Sequence, residues 1–448
     1  MSTSVRNLCV ETVPVSTLTP YGSNPRTHSK RQIEQLAKSI KAFGWTNPIL
    51  VDDELGVIAG HGRLAAAKSL GFVEVPVMRL SGMSKAQRRA YVIADNRLAE
   101  TAGWDQDLLR LEVGSLIEMD LEFEIEAIGF ETGEIDVILA GEEVPAEPEN
   151  VPEPAEGPAV CLLGDVWQLG RHRLVCGDAL DAAAYAALLK GETVDTCFTD
   201  PPYNVPIAGH VSGLGKKTHD EFVMASGEMS DAEFSNFLTT VSARISAAVK
   251  PGGIVFACMD WRHICDLVAA GVAEIGELKN ICVWNKDVGG MGSLYRSKHE
   301  MVAVFSNRGG RHVNNIQLGR FGRNRTNVWD YAGMNGRCDE LAMHPTVKPT
   351  AMVMDAIKDV TARDGLVLDP FGGSGSTLLA AERCGRTARL IELDERYCDL
   401  IITRFEEATG QTAILEESGE TFDLVREMRL DWGEDALASQ SEGFADVW

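Results

Sequence analysis

Thr199-Asp200-Pro201-Pro202-Tyr203-Asn204 sets a carboxylate, a fixed carbonyl and an aromatic ring on one stiff turn. The apolar and β-branched run just before it, Val194-Asp195-Thr196-Cys197-Phe198, predicts a buried strand. Consecutive prolines continue neither a strand ladder nor a helix, so the chain must leave the sheet at this point. Asp200 and Tyr203 are therefore expected at the carboxyl end of a strand, the edge where open α/β sheets bind ligands. A planar base bearing an exocyclic amine suits such a group. Its ring can stack on Tyr203, while Asp200 and the Pro201 carbonyl accept the two amine hydrogens.

A second chemical stretch reads as strand, glycine loop and helix: Leu366-Val367-Leu368-Asp369-Pro370-Phe371-Gly372-Gly373-Ser374-Gly375-Ser376-Thr377. Glycines let the backbone approach a ligand closely, and the loop amides point into the site. The loop lacks the lysine of a phosphate-binding P-loop, which disfavours nucleoside triphosphate hydrolysis. Glu392 closes the next strand, Arg389-Leu390-Ile391, nineteen residues after Gly373. A doubly wound fold places an acid there to bind both ribose hydroxyls, so a nucleoside cofactor without a pyrophosphate fits. Cys176-Gly177-Asp178 precedes a helical stretch upstream.

Between these stretches lies a basic segment. Phe305 to Trp329 holds Arg308, Arg311, Arg320, Arg323 and Arg325 and no acid, interleaved with Asn314, Asn315, Gln317, Asn324 and Asn327. Arginine pairs with phosphates or forks onto guanine, and Asn or Gln forks onto adenine, so DNA contact is expected here.

These groups need a scaffold. With 448 residues the chain exceeds one ordinary core, and two or three domains are expected. The formal charge of −24 argues against nonspecific coating of nucleic acid while leaving room for a local basic groove. There is no apolar run of about 18 residues, and the polar start Met1-Ser2-Thr3-Ser4 is no signal peptide, so a soluble cytoplasmic protein is expected. The ten cysteines are scattered without a C-x-x-C pair, which predicts reduced core thiols and no metal.

Residues 10–100 read as a small α/β unit. Ser29 and Ser84 each open a helix with a capping-box pattern, Gly44 and Gly71 stop helices, and Pro48-Ile49-Leu50-Val51, Val57-Ile58-Ala59 and Val75-Pro76-Val77 are strand candidates. An acidic, helical-looking segment follows from Trp104 to Leu139. The stretch 141–158, with five prolines and six glutamates, reads as an extended linker. The expected organisation is 1–140, linker 141–158, a catalytic domain over 159–410 with target recognition over 305–340, and an acidic solvated tail over 411–448.

Two resemblances sharpen this reading. Asn24-Pro25-Arg26, Asn47-Pro48-Ile49, Ile58-Ala59-Gly60-His61-Gly62-Arg63-Leu64-Ala65-Ala66 and Val75-Pro76-Val77 resemble the ParB-like (ParB/sulfiredoxin) domain. The turn before the helix can bind a nucleotide in that family, and a structural or DNA-positioning role is expected of this unit. Residues 160–407 resemble a β-class amino DNA methyltransferase: Asp200-Pro201-Pro202-Tyr203 comes first, then His344-Pro345-Thr346-Val347-Lys348-Pro349, then Asp369-Pro370-Phe371-Gly372-Gly373-Ser374-Gly375. A ParB-like unit ahead of such a domain is a recurring bacterial and phage arrangement, a setting shared with restriction-modification enzymes.

That resemblance implies a Rossmann-like α/β fold binding S-adenosylmethionine. Asp369, Phe371, Gly373, Ser374 and Gly375 would line the cofactor site, with Glu392 on the ribose, Asp178 at the adenine edge, and Thr346 and Lys348 near the methionyl end. Asp200, Pro201, Pro202 and Tyr203 would hold a base flipped out of double-stranded DNA. Family members with Asp at the first loop position mostly methylate adenine N6, whereas the cytosine-N4 enzymes usually carry Ser, so adenine is expected. The alternatives are a cytosine-N4 enzyme, a ParB-like DNA-binding regulator with a non-catalytic methylase fold, and a bifunctional nicking methylase. No membrane partner is expected, and the resemblance leaves room for a homodimer.

Overall fold

The computed structural model describes residues 8–22, 24–141, 151–155, 157–204, 227–286, 289, 294–319, 323–332 and 347–429. The chain divides into two compact units, Met1–Glu143 and Val144–Trp448.

In the first unit, β1 (Val10–Pro14), α1 (Lys30–Phe43), β2 (Ile49–Val51), β3 (Val57–Ala59), α2 (His61–Leu70) and β4 (Glu74–Arg79) form a sheet of order β1-β4-β2-β3. Val13, Ile49, Val51, Val57, Leu64, Val75 and Val77 fill its core. The Ser29 side chain caps α1 by accepting from the Gln32 amide, and Gly71, at φ +75°, ends α2. Three further helices follow: α3 (Lys85–Glu100), opened by the Ser84–Gln87 capping box, α4 (Gln106–Glu118) and α5 (Thr132–Ala140). The acidic Trp104–Leu139 stretch is thus a packed helical piece with its own small core of Val113, Ile125 and Ile135. Asp136 is buried with that core, while Trp104, Leu108 and Leu111 stay exposed.

The second unit is built on β5 (Val166–Leu169), β6 (His172–Cys176), β7 (Val194–Thr199), β8 (Val249–Met259), β9 (Gly276–Asn285), β10 (His299–Asn307), β11 (Val328–Asp330), β12 (Leu366–Asp369), β13 (Thr387–Glu392) and β14 (Ala413–Leu415). Among the described residues these make one mixed sheet, β11-β9-β10-β8-β7-β12-β13-β6-β5-β14. The middle run β8-β7-β12-β13-β6 is parallel, while β10 is antiparallel to both β8 and β9. The helices α6 (Ala182–Leu189), α7 (Asp231–Ala248), α8 (Ile264–Glu274), α9 (Thr350–Val360), α10 (Ser376–Arg383) and α11 (Glu395–Thr409) connect the strands. Both faces are covered: Cys197 and Leu368 pack into the core that includes α7 and α8, and Phe198 and Val367 into the one that includes α9. Near-continuous apolar strands are the signature of such a doubly covered sheet.

β8 opens through Lys250-Pro251-Gly252-Gly253, with Gly252 at φ +82° where β8 shifts register against β7. Two expectations need correction. Phe305 and Trp329, read as the limits of a recognition segment, are buried in β10 and β11. The acidic tail does not begin at 411: β14 pairs with β5, Phe422 meets Trp167 edge-on at 5.4 Å, and Arg429 lies 3.0 Å from Asp165. Its composition is acidic, but the apolar positions Phe422 and Val425 belong to the core. Residues 430–448 lie outside the described set. No helix among the described residues is long and apolar enough to cross a membrane.

Candidate active site

The parallel pairing of β7 with β12 (Val367 beside Thr196, Leu368 beside Cys197) brings the two chemical loops together. Both strands end at the same edge, and the sheet is wound in opposite senses on either side of them. That is the topological switch point of a doubly wound sheet. On the far side of β12, β13 and β6 end together, with Glu392 opposite Cys176. The Gly177 amide donates to the Glu392 carbonyl at 2.8 Å, which sets Asp178 beside the glycine loop.

The loop itself is fixed by short contacts. Gly373, at φ +51°, donates its amide to Glu392 Oε2 at 2.6 Å. The Asp394 amide donates to Oε1 at 2.9 Å. A carboxylate offers about four lone-pair sites, so both oxygens keep capacity for further donors. Burial pushes Glu392 up to about 7, against the pull of the Asp394 and Gly373 amides. Asp369 is buried beneath the loop and accepts from the Phe371 amide at 3.1 Å and the Thr377 hydroxyl at 2.6 Å. Burial raises it to about 8. Its place is that of a loop anchor. Buried Arg404 donates to the Ser374 carbonyl.

The cradle fits a nucleoside. A Cβ built on Gly373 would meet nothing nearer than the Phe371 carbonyl at 3.9 Å, whereas Gly372 and Gly375 are pressed against Ile401 at 3.1 and 3.2 Å. Space is therefore open on the Gly373 side and closed behind it. The Tyr185 hydroxyl of α6 is buried with no hydrogen-bond partner among the described residues, in a neighbourhood that includes Asp178 and Asp369. A polar occupant suits that lining.

Across the switch point, Asp200 is at the centre of an ionic cluster. Its Oδ1 lies 2.5 Å from the Tyr203 hydroxyl, and its Oδ2 accepts from Lys348 Nζ at 2.5 Å. Lys348, expected near the methionyl end of the cofactor, has its ammonium on the Asp200 carboxylate. It also lies 3.0 Å from Glu300 Oε2, and Glu300 Oε1 accepts from Lys286. Burial opposes the Lys348 charge, yet Asp200 and Glu300 hold its ammonium well above the ordinary lysine range. Burial likewise opposes the Glu300 charge, but Lys348 and Lys286 draw it down to about 2. Asp200 moves up, through burial first, with Lys348 opposing and Glu300 adding to the rise. Burial and both carboxylates keep Tyr203 a neutral phenol.

Asn204, in the left-handed region at φ +53°, closes the turn by donating to the Met229 carbonyl at 2.9 Å and accepting from the Gly227 amide at 3.1 Å. Pro201 is buried and Pro202 half-buried. Sequence reasoning missed Glu300 and Lys286. Because β10 runs antiparallel to β8, with Met301 opposite Met259, its first residues fall at the carboxyl edge of the parallel strands. The only signal was a pair of charged residues flanking apolar strands, and it has meaning only once strand direction is known.

The arginines do not form one surface. Arg308 donates to the Val272 and Ala273 carbonyls at 3.0 and 2.6 Å and so closes the end of α8. It follows β10, as does the exposed Arg311, which puts both at the edge opposite Asp200. Arg323 lies 2.5 Å from Asp359, and Arg325 reaches Asp359 at 3.2 Å, Asp355 at 3.3 Å and the Tyr331 hydroxyl at 2.7 Å. The expected DNA contact is thus corrected for Arg323 and Arg325, whose partners on α9 make them internal struts. Composition showed five cations without local acids; the acids come from α9 in space. Arg320 and Thr346 lie outside the described residues. Arg325→Met should leave Asp359 (6% exposed) short of a partner and lower unfolding stability by roughly 3 kcal/mol. Denaturant melts check this; native stability with weakened DNA binding would restore the original reading.

Known proteins resemble the chain in the same places. A DNA methylase family model matches residues 194–403, a ParB N-terminal domain model matches 1–96, and a ParB-methyltransferase HTH domain model matches 107–162, across the stretch read as linker. The ParB-like nuclease domain-containing protein YnaK of Escherichia coli K12 is 51% identical over 76 residues, 17% of this chain and 87% of that protein. The DNA adenine methyltransferase YhdJ of the same organism is 25% identical over 258 residues, covering 52% of this chain and 83% of YhdJ. Among solved structures, the M1.HpyAVI–SAM complex is 20% identical, with a TM-score of 0.38, covering 52% of this chain and 98% of that one.

Proposed function

We propose, from the premise that this chain belongs to the DNA methylase family and carries a ParB N-terminal domain ahead of its methylase domain, that it methylates adenine N6 at defined sites in double-stranded DNA, using S-adenosylmethionine. One observation carries the reading: β7 and β12 pair in parallel, so the Asp200-Pro201-Pro202-Tyr203 turn and the glycine loop of Gly373 leave adjacent strands at the same edge of the sheet. The family supports DNA methylation as such. Adenine is favoured by Asp200 at the first position of the turn, and by the likeness to YhdJ, whose name states adenine and which is matched over 83% of its length.

In this reading Glu392 receives the ribose hydroxyls, with Asp178 at the adenine edge and the Gly373–Gly375 backbone against the nucleoside. Bound there, S-adenosylmethionine supplies an activated methyl group on a sulfonium that is already a good leaving group. The remaining work falls to the base clamp. An aromatic amine is a poor nucleophile because its lone pair is delocalised into the ring. Asp200 and the Pro201 carbonyl accept its two hydrogens, which favours a pyramidal nitrogen and aims the localised lone pair into the cleft. Tyr203 stacks on the extrahelical base and recovers part of the few kcal/mol lost when the base leaves the helix. No nucleophilic thiol is required, and the thiols of Cys197 and Cys258 are held protonated by burial.

Incubating the full chain with methyl-labelled S-adenosylmethionine and nucleic acids tests this reading. Label should enter duplex DNA; label confined to RNA, or none, sinks it.

A further inference from the structure

The base clamp contains two carboxylates, and methyl transfer as derived above uses only Asp200. Glu300 is 9% exposed. Its Oε2 lies 3.1 Å from the Tyr203 hydroxyl and 3.0 Å from Lys348 Nζ, the same two donors that engage Asp200 at 2.5 Å each. Tyr203 has one hydroxyl hydrogen and can serve one carboxylate at a time. Both acceptors are already within its reach, so the hydrogen bond can change hands by rotation about the C–O bond without backbone movement. Lys348 faces both carboxylates as well. Lys286, which follows β9, pairs only with the Glu300 side of the cluster. Two ammonium groups thus balance two carboxylates, and moving a hydrogen bond from Asp200 to Glu300 strands no buried charge.

We propose that Glu300 is a positioning residue: when the amine of the target base arrives, Glu300 takes over the Tyr203 hydroxyl and the larger share of Lys348, leaving the Asp200 oxygens to accept the amine hydrogens. The inference rests on the methyltransferase reading above. It explains why the carboxylate that must meet the base is found with both oxygens occupied. A second acceptor beside it lets those donors be released at little cost, because no buried donor is left unsatisfied.

The electrostatics give a test that simple packing would not pass. Asp200 is faced by Lys348 before α9, Tyr203 on its own turn, Glu300 at the start of β10, Cys258 on β8 and Asp369 at the end of β12. Lys286 acts on it through Glu300. Burial raises Asp200 most, Lys348 opposes, and Glu300 adds to the rise. In Glu300→Gln, Lys348 acts on Asp200 alone, so Asp200 ionises at lower pH while losing its partner in the exchange. Full-length protein should then show kcat reduced by at least about tenfold, with unchanged S-adenosylmethionine affinity. The acid limb of kcat/KM on duplex DNA should move to lower pH. Glu300→Asp, which keeps the charge, should keep the limb at the wild-type pH.

Wild-type kcat in Glu300→Gln, or a reduced kcat with an unmoved acid limb, overturns the inference. So does a Glu300→Asp limb displaced like that of Gln. Cofactor binding and thermal melting establish that each variant is folded. A wild-type protein that transfers no methyl group to DNA would instead defeat the underlying reading.

Discussion

Asp200→Ala should lower methyl transfer to DNA by roughly 10²- to 10³-fold, the scale expected when a preorganised electrostatic contact to the reacting group is removed. Cofactor affinity should change by no more than about threefold, because the substitution reaches neither the Gly373 cradle nor Glu392. The site predicts this separation. Asp200 follows β7 and meets Tyr203 and Lys348, whereas Glu392 ends β13 on the far side of β12. Removing Asp200 does not orphan Lys348, which retains Glu300 at 3.0 Å, so the variant should stay folded. Isothermal titration with S-adenosylmethionine beside a filter assay of labelled DNA reads both quantities. Equal loss of binding and turnover would show that Asp200 belongs to the cofactor site.

Glu392→Ala should do the reverse. Two hydroxyl donors on one carboxylate are worth about 1.5–3 kcal/mol each, so the dissociation constant for S-adenosylmethionine should rise by roughly 10²- to 10⁴-fold. A pH dependence accompanies it. With Glu392 raised to about 7 by burial, the carboxylate is ionised above that pH and protonated below it. Ribose hydroxyls favour the ionised acceptor, so affinity should be greatest above pH 7 and weaken by up to about tenfold per unit below it. Glu392→Gln should bind weakly at every pH and lose this slope. Affinity in the wild type that is flat through neutral pH would remove Glu392 from the ribose.

What could be read from the chain divides along physical lines. The Asp200 turn and the glycine loop were legible because their chemistry is local: consecutive prolines force an exit from the sheet, and Gly373 at φ +51° needs the freedom that glycine has. Glu392 was legible from spacing, since a βαβ unit fixes how far the next strand ends from the loop. Glu300 and Lys286 were not, because only the antiparallel direction of β10 brings them to the carboxyl edge. The resemblance set Lys348 near the methionyl end of the cofactor; that its ammonium meets Asp200 was not legible, because the two lie far apart in the sequence. The arginines failed for the complementary reason. A stretch without acids reads as a free basic surface, yet Asp355 and Asp359 arrive from α9 to neutralise Arg323 and Arg325. In the region read as tail, the charge that argued for solvation hid the apolar positions Ala413, Leu415, Phe422 and Val425, which join the core.

The central claim is that Asp200 and the Pro201 carbonyl accept the amine of a flipped adenine. Duplex DNA methylated by the full chain, digested to nucleosides and resolved by chromatography, tests it most directly. The expected product is N6-methyladenine, lost in Asp200→Ala; N4-methylcytosine alone, or no methylated base, would contradict it.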